Sequence, residues 1–341
     1  MDHHRLTARF QPELDQELQS IVGDNVSSLY QMMRYHLGWV DADGQAKLSG
    51  SGKLLRPFLC LRACQATGGD WRQALPAAAA LELLHNFTLI HDDIEDGDHE
   101  RRGRPAVWRV WGLGQGVNAG DAMHVLSHLA LTRLQEREVP LAKILRAMQL
   151  MDETCLQLCE GQFLDISFEN RMDITEADYI QMIAGKTAAL FACSLSMGAV
   201  LGTDDEEQIS HLAEFGRNLG MAFQIQDDIL GIWGDDAKTG KPVAGDILKR
   251  KKTLPIVRAL QESDEQTREQ LSAIYDQHLI GRSDILQVLI ILEAGQVRPY
   301  CEGVASQYTE KALAELEATR IEPSAKEDFK SLAGFVVNRE F

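Results

Sequence analysis

The chain is poor in proline, aromatics and positive charge, and each shortage excludes something. Only nine prolines occur in 341 residues, and alternating apolar and polar runs of strand type are almost absent. A nearly all-helical chain follows. Lys and Arg number 34 against 51 Asp and Glu, for a formal net charge of −17. Such a surface repels nucleic acid and anionic membrane, which both need dense cationic patches. A polyanionic ligand would be repelled too, unless clustered Arg and Lys or bound cations reverse the field locally. Long apolar runs are also lacking. The most apolar stretch, residues 74–90, is interrupted by Glu82 and His85 and is shorter than the roughly 20 residues a bilayer needs. Residues 1–20 lack the apolar core of a signal peptide. A soluble chain with no transmembrane segment is expected.

No Cys-x-x-Cys spacing occurs. Cys60 with Cys64 and Cys155 with Cys159 stand at helical i,i+4 spacing and read as small, buried apolar residues rather than zinc ligands or disulfides. A reducing, cytoplasmic setting is expected. His124 and His128 share that spacing without the Glu of a zinc-peptidase helix, so they read as core or surface histidines. No linker, low-complexity tract or fixed-period repeat marks a boundary. One domain over residues 1–341 is the economical reading.

What is present is helical amphipathicity, with 45% apolar and 25% charged residues, enough in a chain of this length to bury a core. Helices are predicted over residues 13–38, 57–67, 72–96, 120–137, 142–168, 176–201 and 205–233, with several more after Leu254. Two of them end in acid. His85 is followed by His91-Asp92-Asp93-Ile94-Glu95-Asp96; at about 100° per residue Asp92 and Asp96 lie within roughly 40° of each other, with His85 on the same stripe. Carboxylates so placed repel unless a cation lies between them, and magnesium favours one or two carboxylates completed by phosphate oxygens. Alone, the run is equally an acidic, solvated helix end. A second acidic pair, in Phe223-Gln224-Ile225-Gln226-Asp227-Asp228, shifts the balance. Basic residues follow both: Arg101, Arg102 and Arg104 after the first, Lys238, Lys241, Lys249, Arg250, Lys251 and Lys252 after the second. These are the local positive fields that a diphosphate would require.

These residues resemble the trans-type isoprenyl diphosphate synthases of the polyprenyl synthetase family, from about Gly52 to Pro255. Ser51-Gly52-Lys53-Leu54-Leu55-Arg56-Pro57 is similar to the family's Gly-Gly-Lys-x-x-Arg-Pro. His85, Asp92 to Asp96, Arg101-Arg102-Gly103, Ala119-Gly120-Asp121, Gly185-Lys186-Thr187, Phe223-Gln224, Asp227-Asp228, Thr239-Gly240-Lys241 and Lys251-Lys252-Thr253-Leu254-Pro255 follow in family order.

The resemblance implies an all-α isoprenoid-synthase bundle with a central cavity. It implies a magnesium-dependent transferase joining isopentenyl diphosphate head-to-tail to dimethylallyl, geranyl or farnesyl diphosphate. Lys53, Arg56, His85 and Arg102 would hold isopentenyl diphosphate. Asp92, Asp96 and Asp227 would bind three magnesium ions, with Asp93 and Asp228 completing the acidic catalytic set. Arg101, Lys186, Lys241 and Lys251 would clamp the allylic diphosphate, and Thr187 and Gln224 would flank the reacting carbons. A homodimer is implied as well. The pattern departs at Gly231, where the second motif usually has its last aspartate; Asp235 and Asp236 are candidates to compensate. Phe87 and Thr88, five and four residues before Asp92, resemble the chain-length positions of geranylgeranyl-type synthases, with farnesyl diphosphate the next product in line. Rival readings are a class I terpene cyclase, a non-catalytic regulatory subunit and a metal-dependent phosphohydrolase; the second acidic pair and the basic residues weigh against the first two, and the lack of histidines at ligand positions beyond His85 weighs against the third.

Overall fold

The computed structural model describes residues 7–23, 25–46, 54–234, 244–277 and 279–337. It is almost entirely helical, as expected; among the described residues the only sheet is a two-stranded ribbon, Glu100–Arg101 against Arg104–Pro105. Two compact units account for the chain: Met1–Glu153 with Cys193–Ser210 and Ile321–Ala325, and Thr154–Ala192 with His211–Arg320 and Lys326–Phe341.

The first unit is organised around the Leu75–Glu95 helix. Pro76 sits in its first turn, where its missing N–H costs nothing. Residues 77–84 are then buried on every side, Glu82 included. Four consecutive alanines let neighbouring helices approach closely, and each fully buried leucine beyond them contributes about 1.5–3 kcal/mol. The Leu113–Thr132 helix packs along it more extensively than any other element. From His85 onward one face of the helix leaves this core, so that His85, His91, Asp92 and Asp96 are partly buried while Asn86, Ile90 and Asp93 stay buried. The acidic motif is thus displayed at the end of a rigid rod.

The second unit packs the Glu176–Ile183, Leu254–Glu262 and Val297–Ala318 helices around Tyr179, Ile225, Ile229, Val257, Leu292 and Cys301, all buried. Thr175 accepts from the Asp178 N–H while Asp178 accepts from the Thr175 N–H, a capping box that fixes where the Glu176–Ile183 helix begins.

Several sequence expectations are corrected. The predicted helix over 13–38 is two, Gln11–Val22 and Ser28–His36, because Gly23 takes φ +70° and ends the first. The helix expected from 120 begins at Leu113; packing overrides the low helix propensity of its early glycines. The stretch expected as one helix over 176–201 contains a π turn at Ala184–Ala188. It is long and apolar enough to cross a membrane by length and composition, but most of it is buried as a core helix. All six cysteines are free; four are buried, Cys155 is half-buried and Cys159 is exposed, contrary to the buried reading for the last two.

Candidate active site

In the first unit, Asp92 and Asp96 are partly buried at the end of the Leu75–Glu95 helix, while Asp93 is only 1% exposed. Adjacent helical residues diverge by about 100°, so when one acid faces outward the next turns in. The hairpin loop Arg102-Gly103 has φ +53° and +69°, the two left-handed residues of a type I′ turn. That turn folds Arg101 back onto the helix, where its Nε donates to Asp93 Oδ1 at 2.8 Å and Nη2 donates to the same oxygen. Asp93 Oδ2 is buried without a hydrogen-bond partner. Burial pushes the Asp93 carboxyl up, and the guanidinium opposes that push.

Arg56 Nη1 lies 3.2 Å from His85 Nε2. A guanidinium can only donate, so Nε2 accepts and the imidazole proton sits on Nδ1. Burial, reinforced by Arg56, Arg102 and Arg101, holds His85 well below the usual histidine range, so it is neutral. Exposed Arg102 points Nη2 toward Asn86 Oδ1 at 3.5 Å, and Asn86 donates at 2.8 Å to the Glu82 backbone carbonyl and carboxylate. Arg56, His85, Arg101 and Arg102 thus form one cationic neighbourhood beside the acidic helix end. On the same helix the Phe87 ring meets His91 edge-on at 5.0 Å and tilts against His124 at 4.9 Å, and Thr88 Oγ1 donates to the His85 carbonyl.

In the second unit, Gly185-Lys186-Thr187 occupies the π turn, a geometry that recurs at functional sites. Two glycines let the backbones meet there: a Cβ on Gly161 would lie 2.1 Å from Lys186 N, and one on Gly185 would lie 2.7 Å from the Gln157 carbonyl. Lys186 Nζ donates to Asp165. Thr187 Oγ1 donates to Gln224 Oε1 at 2.7 Å, and Gln224 Nε2 donates to Asp228 Oδ1 at 2.9 Å. Tyr179 OH and Leu254 N–H both donate to Asp228 Oδ2, at 2.6 and 3.1 Å. Burial, then the negative charge of Asp246, pushes Asp228 up to about 7 against those donors. Asp228 is therefore an inward anchor, whereas partly buried Asp227 lines a cavity of about 150 Å³ together with Asp165, Lys186, Gln224, Asp246 and Lys251.

The adjacent lysines also separate. Lys252 is buried, donating at 2.9 Å to the Glu169 carbonyl near the end of the Leu141–Phe168 helix and standing 5.0 Å over the Tyr275 ring. Burial lowers it to about 8. Lys251 is less buried.

Lys53 and Lys241 lie outside the described residues, as do Lys238, Asp235 and Asp236. Sequence reasoning missed Asp165, Tyr179, Asn86, His124 and Asp246 as members of these neighbourhoods. None stands in a run that announces a ligand, and each is brought in by tertiary packing.

The donors fit magnesium. Among the described residues no three His, Cys, Asp or Glu side chains form a ligand set of their own. What the two acidic segments offer is hard carboxylate oxygen, from Asp92 and Asp96 at the end of the Leu75–Glu95 helix in one unit and from Asp227, inside the Glu206–Trp233 helix, in the other. Magnesium uses one or two such oxygens and takes the rest from water and phosphate; a closed zinc-type cage is the opposite arrangement.

The scaffold is all-helical and sets acidic helical segments beside guanidinium and ammonium groups. The sequence model described as polyprenyl synthetase matches residues 39–292. The geranylgeranyl diphosphate synthase of Mycobacterium tuberculosis is 47% identical over 244 residues, covering 72% of this chain and 68% of that protein. A (2E,6E)-farnesyl diphosphate synthase of Mycobacterium bovis is 35% identical over 312 residues, covering 91% and 86%. The crystal structure of geranylgeranyl pyrophosphate synthetase from Pyrococcus horikoshii superposes with a TM-score of 0.89 at 34% identity, covering 99% of this chain and 98% of that one. The chain belongs to the polyprenyl synthetase family.

Proposed function

We propose that this protein is a short-chain trans-prenyltransferase that condenses isopentenyl diphosphate with allylic diphosphates, 1′ to 4, and stops at geranylgeranyl diphosphate. The observation that carries the reading is that each unit sets an acidic helical segment beside its own basic residues, so a chain of net charge −17 still offers two places for a diphosphate.

Arg56 and Arg102, with neutral His85 and Lys53, take isopentenyl diphosphate without metal. His85 serves as a hydrogen-bonding group and adds no charge. Arg101, Lys186, Lys241 and Lys251 hold the allylic diphosphate, and Asp92, Asp96 and Asp227 would hold magnesium. Three magnesium ions, when bound, stabilise the negative charge that develops on the departing diphosphate. Lys186 and Lys251 add fixed positive charge as the carbon–oxygen bond ionises. The isopentenyl double bond attacks the allylic carbon, a new carbon–carbon bond forms, and the diphosphate leaving group takes the proton. Thr187 and Gln224, locked to each other and to Asp228, orient the reacting carbons. Phe87, braced by His124, floors the growing chain. Asp93 and Asp228 serve as anchors for the acids beside them.

The two units act as one catalytic domain in a cytoplasmic homodimer. Exposed Val125 and Leu129, one turn apart on the Leu113–Thr132 helix, support the dimer, since apolar patches of this kind mark association surfaces. The test is incubation with labelled isopentenyl diphosphate, magnesium, and dimethylallyl, geranyl or farnesyl diphosphate in turn. A product ladder ending at the geranylgeranyl length is expected. A ladder ending at farnesyl removes Phe87 as the floor argued here, and consumption of an allylic diphosphate alone points to a cyclase.

A further inference from the structure

The two acidic motifs are not equivalent by one residue. In the first, Asp92 is followed at i+4 by Asp96; in the second, Asp227 is followed at i+4 by Gly231. Residues four apart on a helix share a face, so the second motif lacks its second acid from its own helix. The space is nonetheless filled with carboxylate. A Cβ on Gly231 would stand 1.9 Å from Asp246 Oδ2, 2.5 Å from its Cγ and 3.2 Å from Oδ1. Asp246 belongs to the short Gly245–Leu248 turn of helix, entered through Ala244 at φ +57°, and it lines the same cavity as Asp227, Lys186 and Lys251.

We propose that Asp246 is the second acid of the second motif, delivered from a different segment into the space left by Gly231, and that it acts with Asp227 toward magnesium and the allylic diphosphate. A side chain at position 231 would meet the Asp246 carboxylate and displace it from its present place. The inference rests on the magnesium-and-diphosphate reading of the cavity given above.

The test is calorimetric binding of inorganic pyrophosphate with and without magnesium, which needs no turnover. Asp246→Asn, isosteric with the native residue, is expected to weaken the magnesium-dependent part of binding at least tenfold. Gly231→Asp alone is expected to weaken it as well, through overlap. The double variant Gly231→Asp with Asp246→Gly moves the carboxylate back to the helix and is expected to recover binding to within about threefold of the starting protein. Asp246→Asn binding like the starting protein, while Asp227→Ala is impaired, overturns the role of Asp246 and leaves the site intact. A double variant that is folded yet no better than Gly231→Asp also overturns it. Absence of any magnesium-dependent component of pyrophosphate binding in the unsubstituted protein overturns the reading of the cavity and this inference with it.

Discussion

Asp93 and Asp228 are the second members of two similar Asp-Asp pairs, but the protein holds them by different chemistry. Asp93 faces a guanidinium across a largely buried ion pair; Asp228 is surrounded by a phenol, an amide and a backbone N–H, none of them charged. The shared feature is helical phase: with about 100° between neighbours, one acid of each pair can look out of the core only if the next looks in. The differing feature is what keeps the inward acid tolerable. A charged partner matches a charged carboxylate, whereas neutral donors suit a carboxyl raised to about 7.

The comparison breaks most severely at Arg101. Arg101→Ala leaves Asp93 buried beside no cation, and loss of one partner of a buried pair costs about 3 kcal/mol or more. Urea unfolding measures this, and a loss below about 1 kcal/mol would show that Asp93 does not depend on the guanidinium. Tyr179→Phe removes one of several donors to Asp228, with an expected cost of about 1–2 kcal/mol. If it cost as much as Arg101→Ala, the contrast between charged and neutral anchoring would be wrong.

A pH series sets the buried histidines of the first unit against Asp228 of the second, because these groups respond with opposite sign. Burial, helped by Arg102, Arg101 and Arg104, holds His36 well below 6.5, and His85 is depressed in the same way. Both stay neutral in the fold but protonate in the unfolded chain. Their stabilising contribution is present above about pH 6.5 and is lost on acidification, by up to about 1.4 kcal/mol per pH unit per imidazole. Asp228 is raised, so its contribution is present below its unfolded value of 3.8 and is lost as pH rises toward about 7. Hydrogen exchange corrected for intrinsic rates should show the core of the first unit loosening from pH 7 to 5. His36→Gln should flatten that change. The smallest effect is expected at Thr187→Val, which removes one side-chain hydrogen bond to Gln224 and costs about 0.5–1.5 kcal/mol, with a larger loss in turnover than in stability.

Much of this was legible from residue order. Long apolar periodicity announced the helices, and acidic pairs followed by basic residues announced the Asp92 and Asp227 neighbourhoods. What stayed hidden was rotational phase. Asp93 beside Asp92, or Lys252 beside Lys251, are alike as letters, and only packing against a core decides which turns inward. Position across long sequence gaps was equally hidden: Asp165 reaches Lys186, and Asp246 reaches the face of Gly231, through contacts that no local pattern encodes. The Arg102-Gly103 hairpin falls between the helices predicted over 72–96 and 120–137, where glycine after a polar residue is a turn signal that favours such a ribbon.

The most direct measurement is steady-state turnover against magnesium concentration for Asp92→Asn, Asp93→Asn, Asp227→Asn and Asp228→Asn, with circular dichroism on each. Outward acids that bind the metal predict that Asp92→Asn and Asp227→Asn keep their helical signal and lose turnover by about a thousandfold or more. The Asp93→Asn and Asp228→Asn proteins should lose chiefly stability. Near-normal turnover in Asp92→Asn or Asp227→Asn, with magnesium dependence altered instead in the inward pair, would contradict the account.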